Sequence, residues 1–200
     1  MRLRQLVSPI VAVALVFTLA GCVLVDRDSL RVRRDGLARE LYTVPGVLDV
    51  VLSDVVEPNV NGVLVDVRLD YDRGRETVID DLAAVRQKLE DGDFEKFRIT
   101  ATIDDSMVLP LGAEITFSPL PSETELRGEA EVWFDLIEAL PVTRLTYDYR
   151  PGDDSYDAFV QAAPAVREDG SVPSDNEVEA AITAAWVAAG RDGERIAVIL

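Results

Sequence analysis

The chain has 200 residues, with 20 Lys or Arg against 37 Asp or Glu, no His and one Cys, for a formal charge of −17 at pH 7. Without histidine there is no Ser-His-Asp or Cys-His arrangement and no imidazole ligand for a transition metal, and the acidity repels nucleic acid. With 48% hydrophobic residues, the chain has enough apolar material for a proper core.

The N-terminus reads as a targeting segment. Arg2 and Arg4 precede an apolar run in which only Thr18 is polar between Ile10 and Ala20. That run is far short of the ~20 residues needed to cross a bilayer as a helix. It closes on Leu19, Ala20, Gly21 and Cys22, the chain's only cysteine. These four residues resemble a bacterial lipobox, which implies cleavage before Cys22 and a diacylglyceryl group on its sulfur. Residues 1–21 are therefore set aside as a lipoprotein signal peptide and 22–28 as a lipidated N-terminus with a short tether. Removing Arg2 and Arg4 leaves 18 basic against 37 acidic residues, a balance of −19, on the remaining 179 (200 minus 21).

A strand over Leu30–Arg33 is expected to lead a short helix over Asp35–Val44, with Leu37, Ala38, Leu41 and Val44 on one face and Pro45-Gly46 as its stop. Leu48–Val56 and Val63–Leu69 read as strands, the second alternating Val63, Val65, Val67 and Leu69 with polar residues. A helix over Thr77–Glu90 follows, with Val78, Leu82, Val85 and Leu89 in helical spacing, and then a strand through Phe97, Ile99, Ala101 and Ile103.

The second half repeats this plan. Ala113–Leu120 reads as a leading strand. Leu126, Ala130, Trp133, Ile137 and Leu140 have helical spacing, and although Leu126–Leu136 also alternates with period two, Ser122-Glu123-Thr124-Glu125 has the form of a capping box and favours helix. Strands are expected over Val142–Tyr149 and Ala158–Val166, a helix over Asn176–Ala189, and a final strand over Glu194–Leu200. Pro141 answers Pro45, and Val178 and Ile182 answer Val78 and Leu82.

The expected fold is α+β: two tandem units over 29–105 and 106–200, each with helices on one face of an antiparallel sheet. The element order resembles ferredoxin-like domains built from split βαβ units, and the αββαβ core is similar to the domain that ends cation diffusion facilitators. Those transporters' metal-binding histidines have no counterpart here, so the likeness implies no metal role.

Several residue groups invite a chemical reading. Asp148, Asp153, Asp154 and Asp157 lie in a Gly-containing acidic loop, the oxygen-rich kind of segment that calcium takes, although the spacing is not that of an EF-hand. Asp66, Asp70, Asp72 and Glu76 are interleaved with Arg68, Arg73 and Arg75, which reads as a surface charge network. Asp80 and Asp81 are turned about 100° apart on a helix and both belong on its wet side, so they do not form a catalytic dyad; Asp104 and Asp105 are likewise adjacent. Trp133, Tyr147 and Tyr149 read as core. Trp186 falls off the Val178, Ile182, Ala185, Ala189 stripe, so it is expected to be exposed as a protein contact.

The expectation is a lipid-anchored, non-enzymatic interaction module without cofactor on the extracytoplasmic face of a bacterial cell membrane. Its partner would be a membrane or cell-wall-associated protein with basic surface. A binding protein for a hard cation or small solute is the alternative, and an enzyme using carboxylate chemistry comes third.

Overall fold

The structure, a computed structural model, describes residues 26–54, 62–92, 96–105, 111–140, 142–150, 156–167, 169–191 and 193–200. The chain divides into a first unit through Gly36 and a second, Leu37–Leu200, which holds all the described strands. Among the described residues, four α-helices and seven strands follow in the order α1 (Asp26–Leu41), β1 (Val47–Asp54), β2 (Gly62–Leu69), α2 (Arg75–Asp91), β3 (Lys96–Asp105), β4 (Leu111–Phe117), α3 (Glu123–Ala139), β5 (Val142–Tyr149), β6 (Ala158–Pro164), α4 (Asp175–Ala188) and β7 (Ile196–Ile199).

Local chemistry explains most of these bounds. The Ser122 side chain accepts from Glu125 N while the Glu125 carboxylate accepts from Ser122 N, so α3 opens on the expected capping box. Ser174 and Glu177 form a second such box at the start of α4. Gly74, at φ 82°, sits in the left-handed region and joins a 3-10 turn over Tyr71–Arg73 to α2. One expectation fails here: Leu30–Arg33 is helical, not a strand, and belongs to α1. Leu30, Arg34, Leu37 and Leu41 already share a helical spacing that extends backward from the predicted helix, and no β-branched run opposes it.

The seven strands form one sheet in chain order, β1-β2-β3-β4-β5-β6-β7. Antiparallel pairs (β1·β2, β3·β4, β5·β6) alternate with parallel ones (β2·β3, β4·β5, β6·β7). Each parallel pair is bridged by a helix, as a crossover requires. Register places Val65, Ile115, Tyr147, Val160 and Val198 on one face, where all but the half-buried Val198 are buried. Leu37, Leu41, Leu82, Leu89, Leu126, Trp133 and Ile182 from the helices complete that core. Because β4 and β5 run opposite to β2, β3, β6 and β7 while α2, α3 and α4 share a face, the β4–α3–β5 crossover has the opposite hand to the other two.

The arrangement contains a repeat finer than element order. Val47 pairs with Leu69 and Asp49 with Arg68, skipping Leu48; 95 positions later Val142 pairs with Pro164 and Arg144 with Ala163, skipping Thr143. The parallel pair Val63 and Phe97 corresponds to Ala158 and Ile196. Leu37, Leu41 and Val44 are buried like their equivalents Trp133, Ile137 and Leu140. Two αββαβ repeats with the same pairing and the same bulge therefore lie side by side. They are not two antiparallel sheets of split βαβ type. In a split unit the leading strand is inserted between the parallel pair, whereas β4 lies outside its repeat, between β3 and β5, and joins both repeats into one mixed sheet.

Candidate functional site

The lipobox residues Leu19, Ala20, Gly21 and Cys22 lie outside the described residues, as do Asp153 and Asp154 of the acidic loop. The two other members of that loop each face an arginine. Asp148 accepts from Arg150 at 2.9 and 2.6 Å, and Asp157 accepts from the Arg195 backbone N–H at 2.9 Å with the Arg195 guanidinium 3.5 Å away. The backbone hydrogen bond from Arg195 holds the Asp157 carboxyl below the usual carboxylate range. Among the described residues no group of three or more acids converges as a metal site.

Trp186 is not exposed: it is 3% accessible, with its ring 6.1 Å from Tyr147 and the Arg191 guanidinium 5.9 Å above it. The buried line of α4 is Val178, Ile182, Trp186, an unbroken i, i+4, i+8 series, with Ala185 and Ala189 only half-buried beside it. Asp81 also departs from expectation. Asp80 is exposed and pairs with Arg127 at 2.7 Å, but Asp81 is buried against the Arg73 Nε at 3.0 Å. Neither Arg73 Nε nor Asp81 Oδ2 has a hydrogen-bond partner, so that contact is Coulombic rather than directional.

The densest polar chemistry lies beneath the second repeat, in a place the sequence reading passed over. Glu129, on α3, is 2% exposed, accepts at Oε2 from the Tyr147 hydroxyl and at Oε1 from the Arg191 guanidinium. Arg191 follows α4 and also pairs with Glu194 at 2.9 Å. Burial pushes the Glu129 carboxyl upward, against the two donors that favour its ionised form. Burial also lifts Tyr147 well above its ordinary range, and the Glu129 charge adds to it. For Arg191 burial acts downward, but the hydrogen bond and charge of Glu129 outweigh it and keep the guanidinium protonated. The cluster is a charged lock inside an apolar core, and with both carboxylate oxygens occupied it holds no free base. A signal for half of it exists in the sequence: Glu129 stands three residues after Leu126 and four before Trp133, on the apolar stripe. Its partner is 62 positions away, beyond the reach of local pattern.

The sheet's other face carries no helix among the described residues. Asp66, Arg68, Arg144 and Gln161 are exposed there, together with Val51 at 53% and Ile199 at 47%. Thr116 and Asp148, cross-strand partners near the middle of this face, are buried. A wide β-surface of mixed charge with scattered apolar side chains has the character of a surface that can bind a macromolecule. No described helix is long and apolar enough to cross a membrane. Comparisons of this chain with family models, with curated proteins and with solved structures find no match.

Proposed function

We propose that this chain is a lipid-anchored, non-enzymatic interaction module on the outer face of a bacterial cytoplasmic membrane, with Cys22 as its anchor. The observation that carries the reading is the segment Leu19-Ala20-Gly21-Cys22 behind a basic, short, apolar leader. Each buried methylene contributes about 0.8 kcal/mol, so two or more acyl chains on one cysteine hold a protein firmly. A body of −19 charge stands off anionic headgroups and is steered toward basic partner surface. The sheet face that carries no helix among the described residues is the surface offered to such a partner, with Arg68 and Arg144 among its acids to set orientation. The two αββαβ repeats are read as copies of one ancestral unit, with β4 as the strand that joins them.

The test is the intact mass of the full chain recovered from bacterial membranes. The expected mass lacks residues 1–21 and carries a diacylglyceryl group, and Cys22→Ser leaves the leader uncut and the lipid absent. A full-length, unmodified wild-type chain would overturn the anchor. In-cell crosslinking from Arg144→Cys is expected to capture one discrete partner rich in Lys or Arg, and recovery of lipid alone would overturn the interaction role.

A further inference from the structure

The internal repeat shows what is missing from the far end of the sheet. In the first repeat the outer edge of β3 is paired along seven residues by antiparallel β4. The outer flank of α2 is covered by α3, through Arg127 to Asp80 at 2.7 Å, Arg75 to Asp135 at 2.7 Å and Arg86 to the Pro121 carbonyl at 2.6 Å. In the second repeat the equivalents are β7 and α4, and among the described residues neither has a partner on that side. The difference falls on the flank itself. Ile79 and Ala83 are buried in α2, while the equivalent Glu179 and Thr183 are exposed on α4. Ala180, Thr183, Ala184 and Val187 instead line an open groove of about 620 Å³.

The two sheet edges are also treated differently. On β1 the Val50 N–H is occupied by Asp49 Oδ1 at 2.9 Å and by the Tyr42 hydroxyl at 3.2 Å, which blocks strand addition at that point. On β7 the run Ile196-Ala197-Val198-Ile199 carries no charge and no proline, the residues that natural edges use as protection.

We propose that the β7 edge and the outer flank of α4 form the contact of a two-fold dimer, in which a second copy of this chain supplies the strand and helix that β4 and α3 supply to the first repeat. A two-fold axis beside β7 pairs it antiparallel with its own copy, the sense in which β3 meets β4, and brings two α4 helices together. The short side chains of Ala180 and Ala184, one turn apart, let those helices approach closely. Among the described residues lining the groove Glu179 is the one carboxylate, so this face brings little charge into the contact although the whole molecule is strongly acidic. The mutual repulsion of two such molecules is screened within ~8 Å at physiological ionic strength. Added salt therefore tightens this dimer, whereas it weakens association with a basic partner.

The experiment uses the full chain in mild detergent, with mass followed by light scattering over a concentration and salt series. A dimer is expected that strengthens with salt, dissociates at least tenfold more readily in Ala184→Glu, and is unaffected by Val51→Glu on the β1 edge. Ala184 and Val51 are exposed, and an unchanged Tm of each variant shows that the fold survives. In membranes, Thr183→Cys treated with a short bis-maleimide is expected to give a covalent dimer. A monomer at every concentration overturns the proposal, as does a dimer that persists in Ala184→Glu. Loss of association in Val51→Glu overturns it in favour of head-to-tail pairing between β1 and β7. Thr183→Cys crosslinks to a different protein alone would assign the face to that partner instead.

Discussion

Replacing Arg191 by Met tests whether the cluster under the second repeat is a buried ion pair. The change keeps the length of the alkyl stem over Trp186 but leaves Glu129, 2% exposed, with the Tyr147 hydroxyl as its one remaining donor. Breaking a buried pair on one side costs about 3–5 kcal/mol, and the 20% exposure of the Arg191 side chain places this case near 3 kcal/mol. At ~2–4 °C per kcal/mol for a domain of this size, Tm should fall by about 6–12 °C. Removing the carboxylate as well, in Glu129→Leu with Arg191→Met, should recover most of that loss, since an apolar pair of similar volume carries no desolvation cost. A residue of about 1–2 kcal/mol should remain from the unpartnered Tyr147 hydroxyl and disappear on adding Tyr147→Phe. Urea unfolding followed through the fluorescence of Trp133 and Trp186 reads all three steps. Glu129 is raised in the folded state, so in Arg191→Met the penalty is full above its folded pKa and shrinks as the pH falls and the carboxyl takes a proton. A single variant within about 0.5 kcal/mol of wild type, or a double variant no better than the single, would refute the buried-pair account.

Three other outcomes follow from the packing. Gly46→Ala puts a Cβ 2.0 Å from Asp81 Oδ2, and because Asp81 is buried and tied to Arg73 it cannot swing away; a loss of ~1–3 kcal/mol is expected in denaturant titrations, largely relieved in an Asp81→Ala background. Trp186→Ala should cost about 3–5 kcal/mol as a core truncation, and a neutral result would mean that the indole is not packed beneath the sheet. Glu177 is pulled down to about 2 by the Ser174 backbone and hydroxyl hydrogen bonds, so its contribution is full above about 4.5 and is lost as the pH falls toward 2. The acid limb of a Tm-against-pH curve should therefore flatten in Glu177→Gln, and an unchanged limb would remove the second capping box from the account.

Period and punctuation were enough to place most elements. The alternation Val63, Val65, Val67, Leu69 marks β2, and the helical spacing from Val78 to Leu89 with Gly92 beyond it marks α2, because burial on one face imposes a period that no other segment disturbs. Ser122 and Glu125 settled the choice between helix and strand for the Trp133 segment through a local hydrogen-bond need. What stayed hidden was non-local. Nothing near β4 states that it joins β3 and β5 instead of entering its own repeat, since strand order depends on edges brought together from distant segments. The burial of Asp81 and Trp186 shares that origin: an i, i+4 series admits more than one stripe, and the packed neighbours decide which is covered. Glu129 was legible as an anomaly on an apolar face, but the arginine that makes it tolerable comes from a loop after α4.

The place of β4 has a mechanical consequence. A flexible linker between two repeats would let them swing and close around a ligand, but here the junction is a ladder of seven residue pairs to β3 on one side and six to β5 on the other. Bending at that seam breaks backbone hydrogen bonds in series, so the repeats move as one body and share one unfolding transition. Hinge closure between the repeats is not open to such a sheet; its strands present one continuous surface across the seam.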